Sequence, residues 1–280
     1  MTGSILDTIG RFFLLLCINN IIMSPSLFQD IVFGPIRSRR LGISLGVNIL
    51  STDQKICSFN CLYCECGWNP QKSKTEAFVP RQKVKAALEQ RLIEAVSTKE
   101  KIDVITFAGN GEPTLHPDFA EIIEDTILLR EKYLPVPIAV LSNSTMLKNE
   151  KVRAALLHIE LPILKLDSAI PATIKILNNV SSSFNVEEYI NCLKFMKGKA
   201  IIQTMFIRGS YNGQTFDNTT DLELAAWLKL IIELNPIQVQ IYTLHRLPPA
   251  TTLERVEMSE LIEIRDLLTA NNIKVQMAEN

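Results

Sequence analysis

The chain has 280 residues, a formal net charge of −1 at pH 7 and a pI near 6.3. A chain of this length can bury roughly 75% of its unfolded surface, so it needs no disulfide to fold. The nearly balanced charge does not indicate a nucleic-acid or membrane partner, and an RNA substrate would have to be held by a local basic patch. Six cysteines are too few for a disulfide scaffold, which favours reduced cysteines in a cytoplasmic protein.

The N-terminal segment differs from the rest of the chain. Its apolar run, residues 11–22, is interrupted by two asparagines and falls short of the roughly 20 residues that a membrane span requires. No convincing signal-peptide cleavage pattern follows it. We therefore predict that residues 1–24 are a disordered leader or the product of a misassigned start, with Met23 as the natural start. Residues 25–280 are predicted to form a single domain without a membrane span.

From residue 41 onward, strand-like and helix-like segments alternate. In chain order they are a strand at 42–50, a helix at 83–96, a strand at 103–109, a helix at 117–133, a strand at 137–143, a helix at 149–158, a strand at 161–168, a helix at 186–197, a strand at 200–209, a helix at 221–234, a strand at 237–244, a helix at 259–270 and an edge strand at 273–278. Nearly continuous apolar strands separated by helices imply a parallel sheet covered on its outer face. Six such units in about 240 residues predict an α/β fold, an incomplete (β/α)6 TIM-like barrel, with a doubly wound sheet as the alternative.

Ligands in such folds collect at the carboxyl ends of the strands. The polar segments predicted to lie there are 57–66, 108–116, 142–145, 165–168, 206–209 and 243–246. We expect these segments to surround one mouth of the barrel.

The segment CSFNCLYCEC at 57–66 carries the strongest motif in the chain. Cys57, Cys61 and Cys64 have the spacing C-x3-C-x2-C, at which three thiolates can hold a cubic iron–sulfur cluster and leave one iron without a protein ligand. Zinc usually takes two well-separated ligand pairs, and disulfides between near neighbours are disfavoured in the cytoplasm. Cys66 would occupy the open iron if it were a ligand, and the favoured interpretation is that it points away as a bystander.

Together with Tyr63 at its aromatic position, this motif resembles the signature of the radical S-adenosylmethionine (radical SAM) superfamily. The resemblance covers most of residues 31–255. FGPIRSRRLGISLGVN at 33–48, GEPTLHPDF at 111–119 and YTLHRLPPA at 242–250 are similar to the branch related to wyosine synthetase-like iron–sulfur oxidoreductases. Wyosine-forming relatives carry additional cysteines for a second cluster, and this sequence has no second triplet.

The resemblance implies a 4Fe–4S cluster held by Cys57, Cys61 and Cys64, with S-adenosylmethionine (SAM) chelating the open iron. One-electron reduction would cleave SAM to methionine and a 5′-deoxyadenosyl radical that abstracts hydrogen from a substrate. A flavodoxin or ferredoxin would donate the electron. The substrate is left open between a tRNA nucleoside, a small metabolite and a glycine of a partner enzyme. The alternative is a non-catalytic iron–sulfur electron carrier or metal-binding module ligated by four cysteines, including Cys66.

The same resemblance assigns the amino group of SAM to the turn formed by Gly111, Glu112 and Pro113, together with Gly109. Asn110 stands where the superfamily usually has a glycine adjacent to the next one. Alternatively, this segment is a plain turn that binds no ligand.

Two later segments complete the predicted SAM site. Ser142 and Asn143 follow the third strand and offer donors and acceptors for a ribose or carboxylate, or form a simple turn; Ser144 makes any left-handed backbone there costly. Lys165 and Asp167 lie two residues apart on a strand and therefore face the same side. They could contact the SAM carboxylate and a ribose hydroxyl, or form a structural ion pair.

Some residues carry weaker predictions. The basic patch at residues 37–40 could hold a phosphate-bearing substrate or lie in solvent. His245 and Arg246 match positions at which relatives contact adenine or substrate. The remaining candidates, whose default interpretation is packing or turn formation, are Tyr242, Trp68, His116 and Cys192.

Overall fold

The computed structural model describes residues 27–72 and 77–278. Its strands are β1 Val32–Ser38, β2 Gly42–Val47, β3 Val104–Phe107, β4 Ile138–Ser142, β5 Leu161–Lys165, β6 Ile201–Met205, β7 Ile207–Tyr211, β8 Gln214–Asp217, β9 Gln238–Tyr242, β10 Leu253–Arg255 and β11 Val275–Met277. Its α-helices are α1 Arg81–Thr98, α2 Phe119–Tyr133, α3 Glu150–Leu157, α4 Pro171–Asn178, α5 Val186–Lys194, α6 Asp221–Leu234 and α7 Met258–Ala270, and a 3-10 turn covers Pro113–Leu115. The predicted leader and Cys17 lie outside the described residues, and the single domain at 25–280 stays a prediction.

The main sheet has eight strands in the order β1-β2-β3-β4-β5-β6-β9-β11. All neighbouring pairs from β2 to β11 are parallel, and β1 is an antiparallel edge strand. Because each parallel strand is added on the same side of the previous one, right-handed crossovers place every helix on one face of the sheet. A doubly wound sheet needs a reversal of direction that this order lacks. The incomplete (β/α)6 barrel is therefore confirmed.

Side chains alternate between the two faces of each strand and separate a helix-covered core from the concave interior. Ile105 and Phe107 of β3 pack into the large core that contains the helices. Val104, the first residue of β3, faces the other side of the sheet and joins a small cluster with Ala139, Ile163 and Ile201. This apolar cluster fills the interior near the N-terminal ends of the strands. The polar residues of the interior therefore lie toward the carboxyl ends.

The structure contains elements that the sequence analysis missed. The antiparallel strand β1, the helix α4 and a small three-stranded sheet in the order β10-β7-β8 were not predicted. The prediction of one strand over 200–209 was wrong, because β6 ends at Met205 and β7 belongs to the small sheet. The buried Asn218 produces this break: its amide donates to the Met205 carbonyl and accepts from the Ile207 N–H, both at 2.8 Å.

The two edges of the main sheet meet through a side chain. The amide of Gln276 on β11 donates to the carbonyl of Arg40, in the turn between β1 and β2, at 3.0 Å. The described strand pairs include no backbone pairing between β1 and β11. The barrel is thus open, and its seam is bridged at this point by a glutamine. No helix among the described residues is long and apolar enough to cross a membrane.

An ion-pair cluster between α1 and α2 leads to a testable pH dependence. Asp125, whose side chain is 7% exposed, accepts from Arg81 at 2.7 Å and Lys85 at 2.9 Å. The hydrogen bond from Arg81 lowers the pKa of Asp125 below 3.8 in the folded chain. This contribution to stability is therefore complete above the unfolded-state pKa and is lost as the pH falls through the folded-state value.

We expect Asp125→Asn to reduce the free energy of unfolding by about 1 kcal/mol at neutral pH, because both cations are partly exposed. Urea unfolding of both proteins at neutral pH and at successively lower pH measures the difference. The difference in the free energy of unfolding between the two proteins should shrink once the pH falls below the ordinary aspartate pKa. A difference that stays constant into strong acid would contradict the assignment.

Candidate functional site

The cysteine loop follows β2 and is fixed by backbone hydrogen bonds to two other parts of the barrel. The Ile56 N–H donates to the Asn110 carbonyl at 2.8 Å, and the Glu112 N–H donates to the Ile56 carbonyl at 2.9 Å. Within the loop, the Leu62 N–H donates to the Leu177 carbonyl at the end of α4, at 3.0 Å. Leu62 is fully buried. These contacts hold the loop across the carboxyl ends of the strands.

The three predicted ligands, Cys57, Cys61 and Cys64, are free and half-buried on this loop. Burial raises the pKa of the Cys57 and Cys61 thiols. The ammonium groups of Lys55 and Lys165 oppose this effect, since each favours a thiolate nearby. Lys55 is almost completely buried and donates to the Gly67 carbonyl at 2.8 Å. The loop therefore combines three sulfur donors with two buried positive charges.

This donor set fits an iron–sulfur cluster better than a single metal ion. In the described part of the chain, no three His, Cys, Asp or Glu side chains converge on one point that could hold a metal. A mononuclear zinc site requires such convergence. Each cysteine of a 4Fe–4S cluster binds a different iron, so its three thiolates surround the cluster without meeting. Buried ammonium groups offset the negative charge that the thiolates bring.

The prediction that Cys66 points away from the other cysteines is wrong, whereas its being a bystander to cluster ligation stays a prediction. Its sulfur is half-buried and lies 3.2 Å from the Gly109 carbonyl, to which the thiol donates. Cys66 also lies against Cys64, and when Cys64 ionises the Cys66 thiol can donate to it instead of to Gly109, which lowers the pKa of the Cys64 thiol. Cys66 therefore connects the cysteine loop to the turn after β3.

That turn has a backbone conformation that depends on its glycines. Gly109 and Gly111 have φ angles of +151° and +141°, in the range that favours glycine. A Cβ atom at Gly111 would lie 1.8 Å from the Ile56 carbonyl oxygen. The glycine thus permits the close approach between this turn and the residue before Cys57.

Asn110, which departs from the family pattern, has a structural role that the sequence did not indicate. It is fully buried, and its side-chain amide accepts from the Phe28 N–H and donates to the Phe28 carbonyl, both at 2.8 Å. It also donates to the Ser51 carbonyl at 2.9 Å. The asparagine side chain points away from the mouth and anchors the segment before β1.

Glu112 joins the turns after β3 and β4. Its carboxylate accepts from the Thr114 N–H at 3.1 Å, the Ser142 hydroxyl at 2.9 Å and the Asn143 N–H at 2.5 Å. Burial raises the pKa of Glu112, and these hydrogen bonds oppose the increase. Ser144 has a φ of +70°, so the costly left-handed conformation considered for this residue does occur. Ser142 and Asn143 are thus held by Glu112, and Pro113 begins the 3-10 turn.

A second polar cluster lies on the interior of β5. Lys165 and Asp167 face the same side, as predicted, and form a buried ion pair. Tyr63 of the cysteine loop bonds to both side chains. Asp167 also accepts from the Met205 N–H of β6 at 3.0 Å. The three residues predicted to contact SAM, Tyr63, Lys165 and Asp167, therefore form one cluster directly beside the cysteine loop.

The weaker candidates fall into two groups. Arg246 forms an ion pair with Glu65 of the cysteine loop at 2.5 Å, and His245 is exposed. The others have packing or turn contacts: Trp68 stacks on Tyr211, His116 accepts from the Asp118 N–H at 3.0 Å before α2, and Cys192 lies in the helix-covered core. A surface cavity of about 540 Å³, lined in part by Arg153 and Phe195, lies among the outer helices away from the strand ends.

Comparison with known proteins identifies a family and several relatives to which this chain is similar. Residues 52–225 match the sequence model of the radical SAM superfamily. A UPF0026 protein of Methanocaldococcus jannaschii is 30% identical over 88% of this chain and 75% of its own length. A protein of Brachyspira hyodysenteriae named GTPase Obg is 27% identical over 86% of this chain, which spans only 34% of that protein.

The fold has counterparts among solved structures. Streptococcus suis SuiB bound to S-adenosylmethionine superposes with a TM-score of 0.60 over 84% of this chain and 50% of its own, at 14% identity. A radical SAM methyltransferase from Sphaerobacter thermophilus gives a TM-score of 0.61 over 84% of this chain and 65% of its own, at 16% identity. The likeness at this level of identity concerns the half-barrel fold.

Proposed function

The chain belongs to the radical SAM superfamily, in its UPF0026 branch, and we propose that it is an enzyme that cleaves SAM reductively to start hydrogen abstraction from a substrate. The superfamily uses a 4Fe–4S cluster together with SAM. When bound, these cofactors supply the electron transfer and the 5′-deoxyadenosyl radical. The observation that carries the proposal is the hydrogen-bonded connection between the cysteine loop and the Gly109–Pro113 turn.

We assign the cluster to Cys57, Cys61 and Cys64. The hydrogen bonds at Ile56 and Leu62 hold this loop at the strand ends, and the nearby ammonium groups of Lys55 and Lys165 balance thiolate charge. The half-buried position of the loop restricts water while leaving the outside accessible to a reductant. The superfamily requires such a reductant, and we propose a flavodoxin or ferredoxin for this role.

We assign the amino group of SAM to the backbone carbonyl of Gly111, because the Gly109 carbonyl already accepts from the Gly111 N–H at 2.9 Å and from the Cys66 thiol at 3.2 Å. Glu112 is a less suitable direct acceptor, because its oxygens already accept from Thr114, Ser142 and Asn143. Its role is to hold the turns after β3 and β4 at a fixed separation. Pro113 and the hydrogen bonds to Ser142 and Asn143 keep this arrangement rigid.

The Tyr63–Lys165–Asp167 cluster would contact the rest of SAM. Lys165 carries a positive charge suited to the SAM carboxylate, and Asp167, whose oxygens already accept from Met205, Tyr63 and Lys165, holds Lys165 in position. Tyr63 holds the cluster against the cysteine loop. The buried ion pair is costly to leave without further partners, which a bound cofactor would supply.

The experiment that tests this proposal is anaerobic reconstitution with iron and sulfide, followed by dithionite and SAM. Mass spectrometry then measures 5′-deoxyadenosine. We expect about four irons per chain and product formation from the wild type. Cys61→Ala should lose both, and Cys192→Ala, which changes a core cysteine, should lose neither.

The Cys66→Ala variant separates the proposal from a four-cysteine electron carrier. Three-cysteine ligation predicts that this variant keeps its cluster and still forms 5′-deoxyadenosine. An electron carrier predicts the loss of the cluster in Cys66→Ala. It also predicts that SAM leaves the electron paramagnetic resonance spectrum of the wild-type cluster unchanged.

A further inference from the structure

The three arginines of the basic patch have different environments. Arg37 and Arg39 are exposed, whereas Arg40 is half-buried. The Arg40 guanidinium carbon lies 4.5 Å from the centre of the Tyr242 ring, at the carboxyl end of β9. Its side chain therefore extends from the turn between β1 and β2 into the open barrel. Residues 37–40 do not act as one surface patch.

The Arg40 guanidinium lacks the partners that a buried cation normally has. Its Nη1 atom is buried and has no hydrogen-bond partner among the described residues. The nearby carboxylate of Glu65 is instead 2.5 Å from Arg246. Two other arginines with an unpaired nitrogen, Arg91 and Arg208, each form ion pairs. Arg40 forms none within the described part of the chain.

This missing partner has an energetic consequence. Burial lowers the pKa of Arg40, yet a guanidinium remains protonated at neutral pH. A buried donor of a charged group without an acceptor is costly, and stacking on Tyr242 recovers only part of this cost. An anion that accepts hydrogen bonds from the guanidinium would remove it, as carboxylates and phosphates do through paired N–H donors.

The interior surface beside Arg40 is polar across four strands. Lys165, Gln203, Gln240 and Gln276 are direct neighbours in the strand register. The amide of Gln203 donates to Gln240, and that of Gln240 donates to Gln276, both at 3.0 Å. Gln276 in turn donates to the Arg40 carbonyl. This row of amides forms a continuous polar floor from the predicted SAM site to Arg40.

The row brings Arg40 close to the predicted SAM site. Adjacent strands lie about 4.8 Å apart, so Lys165 on β5 and Tyr242 on β9 are separated by about 10 Å across the sheet. A molecule bound at Arg40 would reach the Tyr63–Lys165–Asp167 cluster, where the proposed radical chemistry begins. Its neutral polar groups could bond to Gln203 and Gln276, the two partly exposed glutamines of the row.

We propose that Arg40 binds an anionic group, a carboxylate or a phosphate, of the substrate inside the half-barrel. The inference rests on the proposed function, because it places the substrate beside the SAM site. Arg40 is thus a substrate-binding residue, and the glutamine row determines which neutral groups fit next to it.

The test uses the full chain, reconstituted anaerobically and saturated with S-adenosylhomocysteine. Inorganic phosphate and acetate are titrated separately against chloride at equal ionic strength, and the melting temperature is recorded. We expect phosphate or acetate to raise the melting temperature. The anion that raises it more identifies the anionic group of the substrate as a phosphate or a carboxylate. Arg40→Gln should need about tenfold more anion for the same increase in melting temperature, because the charged pair of donors is lost. Arg39→Gln, which changes an exposed neighbour, should respond as the wild type does.

Three results would overturn the proposal, and the first two are no response to either anion in the wild type and an equal response in Arg40→Gln. Weaker binding of S-adenosylhomocysteine to Arg40→Gln would also overturn it, because the guanidinium would then serve the cofactor. If Arg40→Gln does not fold, Arg40→Lys decides the question. It keeps the charge without the paired donors and should show an intermediate response. The proposed function would fail by a different result, the absence of 5′-deoxyadenosine in the product assay. The anion titration does not measure that product, so the two failures are told apart.

Discussion

Gly111→Ala is expected to lose the ordered cysteine loop and most of the iron that the protein can bind. The new methyl group would lie 1.8 Å from the Ile56 carbonyl oxygen, and the φ of +141° is unfavourable for alanine. The Ile56 backbone would have to move, and its hydrogen bonds to Asn110 and Glu112 would break. We expect a loss of about 3 kcal/mol or more in the free energy of unfolding, measured in urea.

Gly213→Ala provides a matched control for this variant. Gly213 has a φ of +78°, so alanine is also unfavourable there, but nothing lies within 4 Å of its Cβ position. Its cost should be about 1 kcal/mol, with iron binding retained. Equal losses in the two variants would show that conformational strain at glycine, and not contact with Ile56, determines the effect.

Glu112→Gln is expected to destabilise the protein by about 2–3 kcal/mol, because one buried hydrogen-bond donor loses its acceptor. The hydroxyls of Thr114 and Ser142 can rotate to suit an amide, but the Asn143 and Thr114 N–H groups cannot. Whichever way the amide lies, its NH2 group faces one of these two N–H groups. Urea unfolding measures the loss in stability, and iron content after reconstitution measures the effect on the loop.

Glu94→Gln is the control for this substitution, since the Glu94 side chain is 64% exposed on α1 and lies 3.9 Å from Arg91. It should change the free energy of unfolding by less than about 1 kcal/mol. A similarly small loss in Glu112→Gln would mean that the turns after β3 and β4 do not depend on the carboxylate.

The repeating part of the fold was predictable because its signal is local and strong. Apolar strands and amphipathic helices alternate through six units, and the helix predicted at 221–234 has the same bounds in the structure. The missed elements have weaker patterns. β1 contains Gly34 and Pro35 and ends with two polar residues, and α4 is only eight residues long. β7 continues directly from β6, so only the distant hydrogen bonds of Asn218 separate the two.

The candidate site was predictable where one short motif or strand spacing defines it. The cysteine spacing indicated the three ligands that we propose for the cluster, and the two-residue spacing of Lys165 and Asp167 indicated a shared face. The roles of Asn110 and Arg40 depend on partners far away in the sequence. Asn110 bonds to Phe28, which lies 82 residues earlier. No local pattern reveals such a contact, although a buried asparagine in place of a glycine marks a position that deserves inspection.

The amide contact between Gln276 and Arg40 has a consequence for the order in which the protein folds. Every strand of the main sheet after β1 pairs with an earlier neighbour, so the sheet can grow unit by unit during synthesis. The contact across the seam joins residues 236 positions apart and forms only after β11 has been made. The nascent chain can therefore assemble the cysteine loop well before the floor beside Arg40 is complete.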